Sequence, residues 1–223
     1  GLLWTAMHAE DPVLFLVPKH MFWAERESTQ PVVPVPFGQA RLCREGADVT
    51  LVAWGNTVEL CEHALETLGD ELSGEVIDLR TIVPWDRETI AESVRKTGRL
   101  VVVQEDTVNC SVGQMIVTEL SERPEVFSRM ICPPVLVSKG NVMIGFNAVS
   151  EYAALPDAAR VLAALRQTMT AALTRATVTP PSRAFVPVAP AAAPAAGTAP
   201  EKVAGEPLKV PIMGEGIRDA RVV

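Results

Sequence analysis

EVIDLRTIVPWDRETIAESVRKTGRLVVVQE, Glu75 to Glu105, is the stretch that decides the fold. It opens on a short β-branched run, EVIDL (75–79), and turns through a proline into DRETIAESVRKTG (86–98). Asp86 stands where a helix N-cap accepts backbone N–H groups. Ile90 and Val94 share one face, basic residues fall in the last turn, and Gly98 sits just past the end. RLVVVQE (99–105) is a continuous apolar run too short for a helix and reads as a buried strand. Strand, helix and strand in direct succession describe a βαβ unit.

The same rhythm extends outward. Upstream, DVTLVAW (48–54) predicts a buried strand, and TVELCEHALETLG (57–69) a helix with Val58, Cys61, Leu65 and Leu68 at helical spacing and Gly69 as its stop. Downstream come a helix over GQMIVTELSER (113–123), a strand over PPVLVS (133–138) and a last helix from Pro156 to Thr170. Strands alternating with helices predict an α/β domain over 37–168, a mainly parallel sheet with helices on both faces. Before it, GLLWTAMHAED (1–11) predicts a helix with Leu2, Leu3 and Ala6 on one face. Asp11-Pro12 ends that helix, PVLFLV (12–17) reads as a buried strand, and QPVVPVP (30–36) reads as an extended linker.

Beyond the last helix the composition changes. Residues 169–206 form an Ala/Pro-rich linker; over 177–206 proline and alanine make up about half of the positions and large apolar residues nearly vanish. Such a segment buries too little surface to offset its ordering entropy, so a disordered, semi-rigid tether is expected, reaching on the order of 90 Å if extended. PLKVPIMGEGIRDARVV (207–223) then has the β-branched, glycine-punctuated character of an incomplete β-type domain.

Bulk properties narrow the function. A net charge of −7 and a pI near 5.1 argue against sequence-independent nucleic-acid binding. No apolar run approaches the roughly 18 residues of a membrane span, so neither nucleic acid nor membrane is an expected partner. The four cysteines (Cys43, Cys61, Cys110, Cys132) are widely spread, without C-x-x-C, and read as reduced thiols. The chain contains no G-x-G-x-x-G, no G-x-x-x-x-G-K-[ST] and no G-x-S-x-G. His8, His20 and His63 lie in no catalytic spacing with Ser, Cys or carboxylate. Glu105-Asp106 ends a strand where open α/β sheets place ligands. That pair reads equally as a ligand site, a turn cap or a contact for a partner's arginine. Asp78-Leu79-Arg80-Thr81 ends another strand and reads as a structural ion pair.

From Gly1 to about Leu165 the sequence resembles the C-terminal half of the β subunit of thiamine-diphosphate-dependent 2-oxo acid dehydrogenases, with a transketolase C-terminal-like fold. DPVLFLVPKHMFW, REGADVTLVAWG, the stretch quoted first and the later EYAALPD carry the likeness, and the VTLVAWG and TIVPWD wording is nearest to branched-chain members, with pyruvate and acetoin relatives similar. The resemblance implies a heterotetramer with an α subunit and a second β subunit, beside the acyltransferase core of a larger complex. It also implies thiamine diphosphate and Mg held by other segments, with the cofactor glutamate and catalytic histidine upstream of Gly1. Residues 1–36 correspond to the tail of the pyrimidine-binding domain and a linker. Ala6, Met7, Ala9 and Asp11 match positions whose backbone oxygens hold a monovalent cation, K+, in some relatives. Two stretches depart from the family pattern: Cys110-Ser111-Val112-Gly113 before the third helix, and Asn141 to Phe146.

PLKVPIMGEGIRDARVV resembles the opening of a lipoyl domain, whose lipoyl-bearing lysine is expected beyond Val223. The whole protein would decarboxylate a 2-oxo acid and pass the acyl group to lipoamide, in a bacterial-type cytoplasm or a mitochondrial matrix; this part, inactive alone, would mainly supply the subunit-interface domain and the lipoyl tether. The alternatives are an acyltransferase-type polypeptide and a non-catalytic assembly module that uses a β-like domain for docking.

Overall fold

The computed structural model describes residues 1–19, 31 and 33–171. His20, most of the tether and the lipoyl-like opening lie outside the described residues. Five strands form one sheet in the order β1-β3-β2-β4-β5: β1 is Arg41–Arg44, β2 Val49–Ala53, β3 Gly74–Asp78, β4 Leu100–Thr107 and β5 Val135–Lys139. The last four run parallel, and β1 pairs antiparallel on the edge of β3. The sheet is therefore mixed, mostly parallel, in an α/β fold.

Seven α-helices accompany it among the described residues: α1 (Leu2–Met7), α2 (Asn56–Leu68), α3 (Arg87–Thr97), α4 (Val112–Glu122), α5 (Pro124–Phe127), α6 (Ala148–Ala154) and α7 (Ala158–Thr170). The two sheet faces fill different cores, because successive side chains of a strand point to opposite faces. Val49, Leu51 and Ala53 of β2, with Val101 and Val103 of β4, pack with Cys61 and Leu65 of α2 and Val161 and Leu165 of α7. Val52, Ile77 and Val102 pack instead with Ile90 and Val94 of α3, Ile116 and Leu120 of α4 and Val126 of α5. Each fully buried Leu, Ile or Val stabilises the fold by about 1.5–3 kcal/mol relative to exposure. Thr50, alone polar on β2, satisfies its buried hydroxyl with Ser93 (2.6 Å) and Thr97 (2.8 Å) of α3.

The decisive helix forms as its sequence predicts. Asp86 caps α3 by accepting from the Thr89 N–H (3.1 Å) and hydroxyl (2.8 Å), and also from the Ala40 N–H (2.9 Å). Gly98 ends the helix at φ +71°, and its N–H returns to the Val94 carbonyl at 2.8 Å.

Two expectations are corrected, and one strand lies where the sequence suggests none. The first helix is shorter than 1–11, spanning Leu2–Met7, and none of its residues is buried. PVLFLV (12–17) is not a buried strand: the segment has no strand pairing, Leu14 and Leu16 are 87% and 75% exposed, and only Phe15 is half-buried. Apolar content alone does not make a strand, which needs a neighbour to receive its backbone hydrogen bonds. RLCR, conversely, forms β1 with no alternating apolar signal, and its register slips between Leu42 and Arg44. Short, charged and irregular strands are common at sheet edges because they resist further pairing.

Candidate functional site

In an open α/β sheet, ligands bind beyond the carboxyl ends of the strands, where the strand order reverses. Here the chain crosses from β2 through α2 to β3 on one side, then through α3 to β4 on the other, so the reversal falls between β2 and β4. The segments that follow these strands build that edge.

The crevice at the reversal is closed by this chain's own side chains. Asn56, the first residue of α2, donates from Nδ2 to Glu105 Oε1 across the gap at 3.0 Å. Thr57, 1% exposed, donates its hydroxyl to the Trp54 and Val103 carbonyls (both 2.9 Å) and accepts from the Trp54 N–H at 3.3 Å, stitching the end of β2 to β4. Gly55, at φ +59°, makes the tight turn from β2 into α2. Glu105 is therefore a cross-strand tie and no free catalytic carboxylate. Asp106 is exposed, and its Oδ1 accepts from the Thr107 N–H at 2.6 Å, a turn-capping bond.

Beyond β4, the fully buried Gln104 holds the entry to α4. Its Oε1 accepts from the Gly113 N–H (2.8 Å), and its Nε2 donates to the Thr107 carbonyl (2.9 Å). A Cβ at Gly113 would lie 2.5 Å from Leu136 Cδ1 and 2.8 Å from Gln104 Oε1, so any larger residue there would have to displace Leu136 or the Gln104 amide. Ser111 caps α4 by accepting from the Gln114 N–H at 3.4 Å, and Cys110 before it sits at φ +54°.

Beyond β3 the sequence places an ion pair, and the structure supplies a different partner for it. Asp78 pairs with Arg41 of β1 at 3.2 Å, the residue directly opposite in the register. Arg80 donates only its backbone N–H to Asp78 (3.1 Å). Its guanidinium reaches the Ala40 carbonyl at 3.4 Å and forms no ion pair among the described residues, while its backbone takes a left-handed φ of +56°. Thr81 accepts from the Gly38 N–H at 3.0 Å, tying this turn to the segment before β1.

The remaining candidates do not converge. His8 lies at the end of α1 with Nδ1 2.8 Å from the Trp4 carbonyl, and His63 is exposed, 3.7 Å from Glu66. Burial pushes the Cys61 thiol far up, with Glu62 and Cys43 adding to the effect, and burial likewise raises Cys132, which makes both poor nucleophiles. No group of three His, Cys, Asp or Glu able to hold a metal is found among the described residues. Ala6 and Met7 end α1 and Ala9 and Asp11 follow it; the Ala6 carbonyl already accepts a long bond from the Ala9 N–H at 3.4 Å, while Met7 and Asp11 are exposed. No described helix is long and apolar enough to cross a membrane.

The arrangement is a sealed sheet edge rather than a reaction chamber, and comparisons with known proteins give it a context. The family model described as "Transketolase, C-terminal domain" matches residues 38–161. The chain is 39% identical over 160 residues to the 2-oxoisovalerate dehydrogenase subunit beta, mitochondrial, of Chaetomium thermophilum, covering 70% of this chain and 34% of that protein. Against the pyruvate dehydrogenase E1 component subunit beta of Rickettsia felis it is 38% identical over 168 residues, covering 75% and 51%. Against the acetoin:2,6-dichlorophenolindophenol oxidoreductase subunit beta of Cupriavidus necator it is 35% identical over 174 residues, covering 76% and 50%. A solved structure titled "Split gene transketolase, inactive beta4 tetramer" superposes with a TM-score of 0.55 at 28% identity, covering 66% of this chain and 46% of that one. The chain spans about half the length or less of these curated relatives. With the match extending over more than half of its residues, the chain belongs to the transketolase C-terminal domain family.

Proposed function

We propose that this chain is the C-terminal part of the β subunit of a 2-oxo acid dehydrogenase, and that its described domain serves assembly rather than chemistry. The single observation that carries this reading is the 35–39% identity to the three β subunits, sustained over 70–76% of the chain. The sealed crevice supports the assignment of labour. Thiamine diphosphate, which the resemblance implies, does not fit here: the Asn56–Glu105 tie and Thr57 fill the strand-order reversal, and the described residues offer no carboxylate cluster for a divalent cation. The cofactor's carbanion chemistry, in which protein groups position and shield the reacting atoms, therefore falls to segments outside this chain and to the α subunit. The Ala/Pro tether and lipoyl-like opening extend the reading to acyl transfer onto a lipoamide arm. A tether joined to the decarboxylating subunit would hold that arm at an effective concentration in the mM range. Backbone oxygens of Ala6, Met7, Ala9 and Asp11 are the proposed holders of a monovalent cation beside the upstream domain.

The test uses the full-length natural product, co-expressed with its α-type partner and supplied with pyruvate, 2-oxoisovalerate or acetoin in the presence of thiamine diphosphate and Mg. CO2 release from pyruvate or 2-oxoisovalerate, with reductive acylation of lipoamide, is the expected result; cleavage of acetoin alone would place the protein outside the 2-oxo acid class. A purified complex inert toward all three, although it binds thiamine diphosphate, would sink the proposal.

A further inference from the structure

All four cysteines are free thiols, yet two of them share one core. Cys43 lies on the edge strand β1. Cys61 lies on α2, the helix that crosses from β2 to β3, and β3 is the strand that β1 pairs with. The ladder shows which face Cys43 takes. Leu42 stands opposite Ile77 and Arg44 opposite Val76, with the register slipping between them, so Cys43 is the extra residue of a β-bulge. Ile77 belongs to the core beneath α3, whereas Val76 belongs to the core beneath α2. Cys43 is half-buried and packs against the α2 core, in which Cys61 is fully buried.

The charges agree with that placement. Burial acts to lower the Arg41 pKa, but Cys43, Asp78 and Glu62 outweigh it and hold the guanidinium above its ordinary value. Cys43 is also among the groups that act on the Cys61 thiol, after burial and Glu62. Residues 41 and 43 of β1 therefore face residues 61 and 62 of α2, and the Arg41 cation stands beside the Cys43 sulfur. The other two thiols are set apart: Cys110 follows β4, and Cys132 precedes β5 and belongs to neither core.

We propose that Cys43 and Cys61 are an oxidisable pair, which a peroxide converts into a disulfide between the edge strand and α2. A bulge leaves its extra residue unpaired, so β1 opens at Cys43 before the sheet does and admits a small oxidant. The Cys43 thiolate attacks one peroxide oxygen; the S–O bond forms as the O–O bond breaks and hydroxide leaves. The Cys61 sulfur then attacks the sulfenic sulfur of Cys43. The S–S bond forms, the S–O bond breaks, and the departing hydroxide takes the Cys61 proton as water. Two thiols lose two electrons in total, and the peroxide is reduced to water. Cys61 is too buried to meet the oxidant itself, but an adjacent sulfenic sulfur makes its attack intramolecular, which offsets its poor nucleophilicity. A disulfide needs Cα atoms within about 7 Å, and the ladder is already interrupted at the residue that has to move. The bridge ties β1 to the helix beside it and closes the opening at the bulge. The pair does not rest on the decarboxylase reading, whose failure would leave it untouched.

Reduced full-length protein, exposed in its native state to hydrogen peroxide and digested without reductant, tests the proposal. Trypsin cleaves after Arg41, Arg44 and Arg80, so the expected product is Leu42–Arg44 joined to Glu45–Arg80. Its mass lies about 2 Da below the sum of the two peptides, and dithiothreitol separates them. Cys43→Ser and Cys61→Ala each abolish the joined peptide, and in Cys61→Ala the Cys43 sulfenic acid persists and is trapped by dimedone. Cys43→Ser, at a half-buried edge position, carries the test even where Cys61→Ala does not fold. Oxidation of Cys110 with Cys43 and Cys61 left as thiols would overturn the proposal. So would Cys43 carried on to sulfinic acid beside a free Cys61, a joined peptide that forms only after denaturation, or a disulfide from either residue to Cys110.

Discussion

Glu75 illustrates how a single residue ties pH to stability in this fold. Its side chain is almost fully buried on β3, beside Lys96 of α3, and its Oε2 accepts from the Gly46 N–H at 3.4 Å. Burial acts to raise the carboxyl pKa, but hydrogen bonds from Lys96, Ser93 and Gly46 and the Lys96 charge outweigh it, so the group sits below the usual carboxylate range. A depressed folded pKa means stability present above the unfolded value of about 4.3 and lost as pH falls through the folded one. Glu75→Gln should flatten the acid limb of urea-unfolding stability measured from pH 3 to 6. At neutral pH it should cost about 2 kcal/mol, discounted because Lys96 is half-exposed and can turn to water. Cysteine reactivity separates along the same lines. Cys110 is exposed, whereas Cys61 and Cys132 are buried, so a thiol reagent on the native chain should label Cys110 first and the buried pair only after denaturation. Mass mapping of the labelled peptides checks the order.

At the scale of elements, α3 concentrates what the sequence announces. Its N-cap joins three donors, two of its own turn and one from the segment before β1, so Asp86→Ala should lower unfolding stability by about 1–2 kcal/mol. The other end is as constrained: a Cβ at Gly98 would lie 3.0 Å from the Arg129 carbonyl, and φ +71° disfavours any L side chain. Gly98→Ala should therefore cost about 1–2 kcal/mol, read from urea midpoints at unchanged slope. β1 and PVLFLV fail as sequence readings for opposite reasons. The edge strand is held by its ladder with β3 and the Arg41–Asp78 pair, neither of which leaves a periodic trace in RLCR. PVLFLV carries the composition of a strand with no described strand beside it.

Across the whole molecule, the described residues 1–36 contribute no buried side chain, while the sheet and its two cores begin at β1. Deleting 1–19, which bury no side chain, should shift the unfolding free energy by less than about 1 kcal/mol, with circular dichroism retaining the α/β signature. A larger loss would show that α1 and 12–17 contribute to the stability of the domain. The sequence by itself determined the βαβ rhythm, because burial on both faces of a parallel sheet forces continuous apolar strands, and helix ends need caps and glycines at set offsets. Val49–Ala53, Arg87–Thr97 and Leu100–Thr107 were legible for that reason. Only the tertiary structure decided which groups meet. Asp78 finds Arg41, thirty-seven residues away, instead of Arg80 beside it. Glu105 is consumed by Asn56, and Arg80 sits on a left-handed backbone with no ion pair among the described residues. Local pattern encodes periodicity and termination, whereas pairing across a sheet edge depends on strand order and register, and these arise only when distant segments pack together.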